Sequence, residues 1–398
     1  MKFRKTIPPV SVPISSSDLF HGAKEFLGGN GSEKIKREIR EYSGARHIFF
    51  LSSGKAALFL ILIALRGLKN RRKVIMPAYT CFSVPSAIRM AGMEIVLCDV
   101  RPDFLDFDND QLEKLADEET LCIIATHLFG IPSELGRVRE IARKKGIFVI
   151  QDAAQAFGAP IGRMAGPQWD VAFFSFGRGK NITCGSGGVI VTDSEEIAGA
   201  LQGPYNRLEK ESLQTSAKTL VELFLMELFM NPYLYWLPDG LPYLRIGETH
   251  YYSSFPVFRM NRAKFGLLHN WQRKLDILNK IRTDTSEEYK CTLNLNRGIG
   301  IYSKKLPYLR FPVYLKDEET KRNICKYYRH LGVSAMYPGA INEIPELSGI
   351  VGNFHCPASE MIARKLVTLP THGFVDGLLG KEICSVVSDA LDDDYRNP

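Results

Sequence analysis

The 398-residue chain contains eight cysteines, yet none are paired at CxxC spacing and none cluster with histidines. That removes a zinc ribbon and a disulfide framework from consideration, so no metal site is expected. Scattered thiols fit a reducing compartment, and a cytoplasmic location is expected. No basic stripe is present either. The net charge of +7 is dispersed, and the one basic run, Lys69–Lys73 (KNRRK), falls in a helix–strand connection where solvation is expected. Nucleic acid is therefore not an expected partner. The positive excess either favours an acidic small ligand or is background. Met1–Phe20 has a basic start but no continuous apolar core of signal-peptide length. The acidic run Asp103–Asp110 (DFLDFDND) lacks the glycine and terminal glutamate of an EF-hand and reads as a solvated loop before a helix at Gln111. No repeat or low-complexity segment interrupts the chain.

What remains is an ordinary globular composition, 45% hydrophobic and 24% charged, in a chain long enough for two domains. Short apolar runs at Ile48–Leu51, Val74–Met76, Ile95–Cys98, Cys122–Ala125 and Phe148–Ile150 alternate with helix patterns. Helices are expected over Glu33–Tyr42, Ala56–Leu65 and Leu135–Lys145, among others. Such alternation predicts an α/β domain with a mostly parallel sheet. A long helical period over Phe265–Tyr289 leads away from it. Arg310–Leu315 and Val367–Leu369 as strands, with a helix over Glu319–Leu331 ending at Gly332, predict a smaller C-terminal α+β domain. The expected division is an arm over 1–20, a large domain over 21–255 and a small domain over 256–398.

Chemistry concentrates in Val171–Val189 (VAFFSFGRGKNITCGSGGV). Two apolar runs, Val171–Phe174 and Val189–Val191, bound a glycine-rich turn that carries Lys180, and read as buried strands joined by a tight loop. Burial at such a place disfavours a charged amine and frees it as a nucleophile; the alternative is a surface lysine on a hairpin. Upstream, Phe148–Ile150 delivers Asp152 to a carboxyl end of the sheet, where open α/β sheets place ligands, although a helix N-cap would also use an aspartate there. An aspartate and a lysine so placed suit pyridoxal phosphate (PLP): the amine for its aldehyde, the carboxylate for its ring nitrogen. Leu51–Leu58 (LSSGKAAL) supplies a small-residue turn into a helix, which is either an anion site or a plain serine cap. His127 also follows a strand, as a ligand, a base or a positional residue.

With these segments in view, SSGKAAL, PAYTCFSVPSAIRMAG, THLFGIPSELGRVREIARKKGIFVIQDAAQAFGA and FFSFGRGKNITCGSGGVIVTD resemble the DegT/StrS-type sugar aminotransferases, in order over about residues 45–195. The likeness continues through FRMNRAKFGLLHNWQRKLD, RFPVYL and VTLPTH. The resemblance implies a fold-type I, aspartate aminotransferase-like PLP enzyme. It places Lys180 as the lysine that binds the cofactor's aldehyde, Asp152 at the ring nitrogen and Gln155 beside the ring hydroxyl. Ser175 would hold the phosphate, with Ser53, Gly54 and Lys55 at the phosphate turn, where Lys55 exchanges the usual hydroxyl for a cation. Cys81 stands where many relatives have a ring-stacking aromatic, with Phe82 expected to point elsewhere. Val257 replaces an asparagine that reaches the partner's phosphate, and Ser186 replaces the glutamate of a GEGG turn.

The implied activity is transfer of an amino group from an amino acid, glutamate, to a nucleotide-linked keto sugar, in a homodimer with interfacial active sites. The rivals are a regulatory protein that keeps the fold without turnover, and a sugar dehydratase, against which Lys180 argues. Ser216–Leu244 is the least expected stretch. Glu222, Glu227, Pro232 and Pro238 exclude a bilayer span; a helical hairpin packed on the body or a second subunit, or peripheral membrane contact, remains. His355, His372 and Tyr337 lie in loops where they could face substrate, and the surface is the expected place for each.

Overall fold

The computed structural model of the chain describes residues 5–160, 169–241, 249–352 and 354–396. The apolar runs become β1 (His47–Leu51), β2 (Lys73–Pro77), β3 (Glu94–Cys98), a short ribbon of β4 (Val100–Arg101) and β5 (Asp106–Phe107), then β6 (Thr120–Thr126), β7 (Phe148–Asp152), β8 (Val171–Ser175) and β9 (Gly188–Thr192). Seven of them form one sheet in the order β1-β9-β8-β7-β6-β2-β3. Pairings from β3 through β8 are parallel, whereas β9 runs antiparallel to both β8 and β1. Six strands therefore point one way, and their carboxyl ends share one edge with the start of β9.

Every residue of β6, β7, β8 and β9 is buried. That is expected of a mostly parallel sheet covered on both faces. Neighbouring side chains serve opposite layers: Val74 and Met76 enter one core, and Ile75 enters another. The covering helices include α2 (Gly31–Ser43) and α3 (Gly54–Leu68), whose Gly54–Leu65 stretch is buried at most positions, while α1 (Ser16–Phe26) packs on helices from later in the chain. The expected helix at Ala56 starts two residues earlier because Ser53 caps it, its Oγ accepting from the Ala56 N–H at 3.2 Å.

The extended arm stops at Ser15, where Asp18 completes a capping box and α1 begins. Before that, Ile7, Val12 and Ile14 are buried, and the Ile7 N–H donates to the His330 carbonyl at 2.7 Å. The predicted single helix over Phe265–Tyr289 is two: Arg262–Leu267, then Trp271–Thr292. A Cβ at Gly266 would lie 2.2 Å from the His21 carbonyl oxygen. The first helix thus crosses α1 backbone to backbone, and the chain turns before the second begins. Near the C-terminus Phe311–Tyr314 pairs antiparallel with Leu366–Leu369, flanked by helices Glu318–Tyr327, Pro357–Lys365 and Gly377–Ser388.

Of the Ser216–Leu244 stretch, the described part contains helices Leu213–Phe229 and Trp236–Asp239; residues 242–244 lie outside the described residues. The first packs Ser216, Thr219 and Leu223 inward and leaves Val221, Phe224, Leu225 and Leu228 between 44% and 58% exposed. No helix among the described residues is long and apolar enough to cross a membrane. KNRRK is not simply solvated. Arg71 donates to the Thr120, Lys145 and Gly146 carbonyls, and Lys73 pairs with Asp117 and Glu119, so the run fastens a sheet edge.

Candidate active site

The sequence-derived residues gather at the edge where the six parallel-running strands end. Asp152 closes β7, Ser175 closes β8, His127 follows β6, Ser53 follows β1, and Cys81 follows β2. Lys180 lies in the loop of residues 176–187 between β8 and β9, a longer connection than the tight turn expected. It is half-buried rather than fully buried, and its amine has no partner among the described residues. Gly179 precedes it with φ +72°, and a Cβ there would lie 2.8 Å from Val10 Cγ1, so the arm rests on this loop. Glycine serves both needs.

Asp152 is 5% exposed, and its Oδ1 accepts from the Ala154 N–H at 3.0 Å, while Oδ2 has no partner among the described residues. Burial pushes its carboxyl from 3.8 up to about 6, against the opposing pull of the Ala154 N–H and the charge of Lys180. The lysine and the aspartate therefore sense each other electrostatically.

The turn before α3 is a candidate anion seat. Ser53 Oγ satisfies the Ala56 N–H, leaving the Gly54 and Lys55 N–H groups without partners among the described residues. A Cβ at Gly54 would lie 2.8 Å from Ser175 Cβ and 3.0 Å from its Oγ, so only glycine lets these two segments meet. Lys55 is half-buried with Nζ over the rings of Tyr252 (4.8 Å) and Phe255 (4.9 Å), and desolvation lowers its pKa. Cys81 is half-buried beside it and accepts from Ser83 Oγ at 3.1 Å. Phe82 is buried and stacks on Tyr337, ring centroids 6.4 Å apart.

Gln155 is held by protein groups. Its Oε1 accepts from the Phe129 N–H at 3.2 Å, and its Nε2 donates to the Tyr337 hydroxyl at 2.9 Å. Tyr337 is thus 1% exposed and lines the site, not the surface as its loop position had suggested. His372 is also buried, its Nε2 2.7 Å from the Pro8 carbonyl oxygen; the expectation of a surface residue fails because that partner lies 364 residues away. His355 is exposed, as expected.

His127 is structural in its surroundings. Nδ1 accepts the Ser133 N–H at 3.1 Å, which makes Nε2 the donor to Gln151 Oε1 at 2.8 Å, and burial pulls its pKa to about 4.

Two features had no clear sequence signal. Lys264 is fully buried, reached by Glu211, Ser186 and Ser52. Arg310 is 9% exposed with no carboxylate partner among the described residues, and desolvation lowers it to about 10.

Do these residues fit PLP? They supply an amine without a partner, a buried carboxylate with one oxygen not hydrogen-bonded among the described residues, and a glycine-lined helix start beside a serine hydroxyl. Buried polar atoms without partners among the described residues (Thr80 Oγ1 and the Asn181 amide) stand on the same edge. The donor set suits a phosphorylated aromatic aldehyde with a ring nitrogen. No group of acidic, histidine or cysteine side chains among the described residues could hold a metal ion.

The sequence pattern of the DegT/DnrJ/EryC1/StrS aminotransferase family matches residues 20–219. A pleiotropic regulatory protein of Geobacillus stearothermophilus is 34% identical over 178 residues, 44% of this chain and 48% of that one. GDP-perosamine synthase of Caulobacter vibrioides is 32% identical over 170 residues, 42% of this chain and 46% of the relative. The chain thus spans about half the length of the curated relatives it matches. In three dimensions it resembles PseC of Helicobacter pylori, an aminotransferase involved in the biosynthesis of pseudoaminic acid. That match has a TM-score of 0.77 at 17% identity and covers 97% of this chain and 99% of that one. At such identity the likeness speaks for the fold, a PLP transferase architecture of fold type I. The family pattern covers half of the sequence, and the strand-end site lies largely within it. The chain belongs to the DegT/DnrJ/EryC1/StrS aminotransferase family.

Proposed function

We propose that this chain is a PLP-dependent aminotransferase that moves the amino group of an amino acid, glutamate, to a keto sugar carried on a nucleotide. One observation carries the reading: the Lys180 amine, the Asp152 carboxylate and the α3 helix start converge on one edge, each with an unused hydrogen-bonding group. When bound, the cofactor supplies an aldehyde that condenses with amines and a ring that draws electrons from the adjoining carbon.

This chain's own residues do the rest. Lys180 Nζ is the amine that holds the group and, when released, the base that takes and returns a proton. Asp152 Oδ2 accepts the ring N–H and keeps that nitrogen protonated. Ser53, the Gly54 and Lys55 N–H groups and Ser175 Oγ hold the phosphate. Gln155 has a second amide proton beyond the one given to Tyr337, and that proton is available to the ring hydroxyl. Cys81, beside Lys55, takes the position of the ring-stacking aromatic. Arg310 is the cation available to the donor's carboxylate. The similar GDP-perosamine synthase supports a nucleotide-linked sugar as the acceptor.

The test is a half-reaction. Glutamate alone is expected to convert the cofactor of the loaded protein to its amine form, and a nucleotide keto sugar from a panel to reverse the change. The name of the Geobacillus relative favours one second reading, a regulatory protein without turnover. That reading prevails if PLP sits on Lys180 and no common amino acid alters the spectrum. Lys180 argues against a dehydratase.

The division into a large unit over 21–255 and a small one over 256–398 belongs to this proposal, as does a homodimer. The outward face of helix Leu213–Phe229, with Val221, Phe224, Leu225 and Leu228, is its candidate contact or a peripheral membrane contact. Sedimentation at micromolar concentration is expected to show a dimer. Serine at Val221, Phe224 and Leu225 together should weaken dimerisation or liposome binding. A monomeric wild type contradicts the dimer, and variants unchanged in both assays contradict both roles of this face.

A further inference from the structure

Lys264 and Glu211 form a buried ion pair beneath the anion seat, with side chains 0% and 5% exposed. The ammonium has three acceptors for its three protons: Glu211 Oε1 at 2.5 Å, Ser186 Oγ at 2.8 Å and the Ser52 carbonyl at 3.5 Å. The other carboxylate oxygen of Glu211 accepts from Asn261, through its N–H at 3.3 Å and its Nδ2 at 3.0 Å. Asn261 in turn caps the helix that carries Lys264, its Oδ1 taking the Lys264 N–H at 3.1 Å. Both charges are therefore hydrogen-bonded on every side, the condition under which a buried pair is tolerated.

The placement links two segments that must meet for the seat to exist. Ser52 immediately precedes Ser53 and Gly54, and it is fixed laterally by the Phe258 backbone, with N–H to O at 2.8 Å and N–H to Oγ at 3.2 Å. Ser186 opens the glycine turn into β9. Two residues on, a Cβ at Gly188 would lie 2.2 Å from the Ser53 carbonyl oxygen. The glycine turn and the helix start touch backbone to backbone, and Lys264 holds one from each side. The glutamate that the family resemblance expects at position 186 is a serine here. Its negative charge arrives from Glu211, in the connection ahead of helix Leu213–Phe229.

We infer that Glu211 and Lys264 are positioning residues for the phosphate seat, clamping the Ser52–Gly54 turn against the Ser186–Gly188 turn without touching the ligand. The inference rests on the cofactor reading above. It concerns the phosphate end alone, and that makes it separable. Pyridoxal carries the same aldehyde and ring as PLP but no phosphate.

The experiment strips the full-length protein of cofactor and titrates it with PLP and, separately, with pyridoxal, following absorbance. Glu211→Gln, Lys264→Met, the double variant and Ser186→Ala are compared with wild type. The pair variants are expected to bind PLP about tenfold more weakly, the worth of one charge-assisted hydrogen bond, with pyridoxal binding unchanged. The double variant leaves no unpaired charge yet stays weakened toward PLP, because both tethers are gone. Ser186→Ala shows the same selectivity to a smaller degree, and these two carry the test if a single variant fails to fold. Equal losses for both ligands, or full recovery in the double variant, mean a general stabilising role and overturn the inference. Variants indistinguishable from wild type overturn it too. A wild type that binds neither ligand overturns the cofactor reading, and this inference with it.

Discussion

Lys180→Ala is expected to remove the glutamate half-reaction, lowering its rate by at least about a thousandfold, since one side chain serves as both anchor and proton carrier. The variant should still bind PLP, because the phosphate seat and Asp152 come from other strands. Its spectrum should be that of free aldehyde rather than of cofactor joined to the protein. Rapid-scanning absorbance on the loaded variant with excess glutamate measures this directly. A rate close to wild type would assign the amine role to another lysine. Lys55 and Lys264 do not fit that role: one sits against two aromatic rings, the other is buried in an ion pair.

Asp152→Asn should keep the cofactor but lose about 10- to 100-fold in rate, the worth of a charge-assisted hydrogen bond of about 1.5–3 kcal/mol. A neutral amide no longer holds the ring-nitrogen proton. The same substitution has a second, opposite consequence in the cofactor-free protein. Because burial raises the carboxyl from 3.8 to about 6, its contribution to stability is full below about 3.8 and is lost as pH rises through about 6. The variant lacks that loss. Relative to wild type it should therefore gain stability between about pH 4 and pH 7, by about 3 kcal/mol at most, at about 1.36 kcal/mol per pH unit. Denaturant unfolding across that range reads the difference. A difference independent of pH would mean that Asp152 is not desolvated. An unimpaired rate would reduce it to a helix cap.

The large sheet is legible because its strands are short apolar runs buried on both faces, and the helices between them carry their own caps, such as Ser53. Asp152 stands out because a strand end delivers it, Lys180 because it follows the next strand in a glycine-rich loop, and Ser175 through the family resemblance. The direction of β9 is not legible. Val189–Val191 reads equally well in either direction, and only the pairing of Phe174 with Val189 and of Leu51 with Gly188 fixes it. The burial of Tyr337 and His372 escapes for a related reason. Each is a polar residue in a loop, and its burial follows from a partner 182 or 364 residues away. The Glu211–Lys264 pair likewise joins residues 53 apart with no local pattern to announce it. The break between Leu267 and Trp271 has a local glycine as its only hint, and the contact that makes that glycine matter belongs to His21.

The central claim is that the cofactor's aldehyde joins Lys180, and chemical trapping tests it without any knowledge of the sugar. The PLP-loaded wild-type protein is reduced with borohydride, digested and mapped by mass spectrometry. The account predicts a pyridoxyl group on the peptide containing Lys180, and its loss from that peptide in Lys180→Ala. A label on a different lysine in the wild type, or no label after loading with PLP, would contradict it.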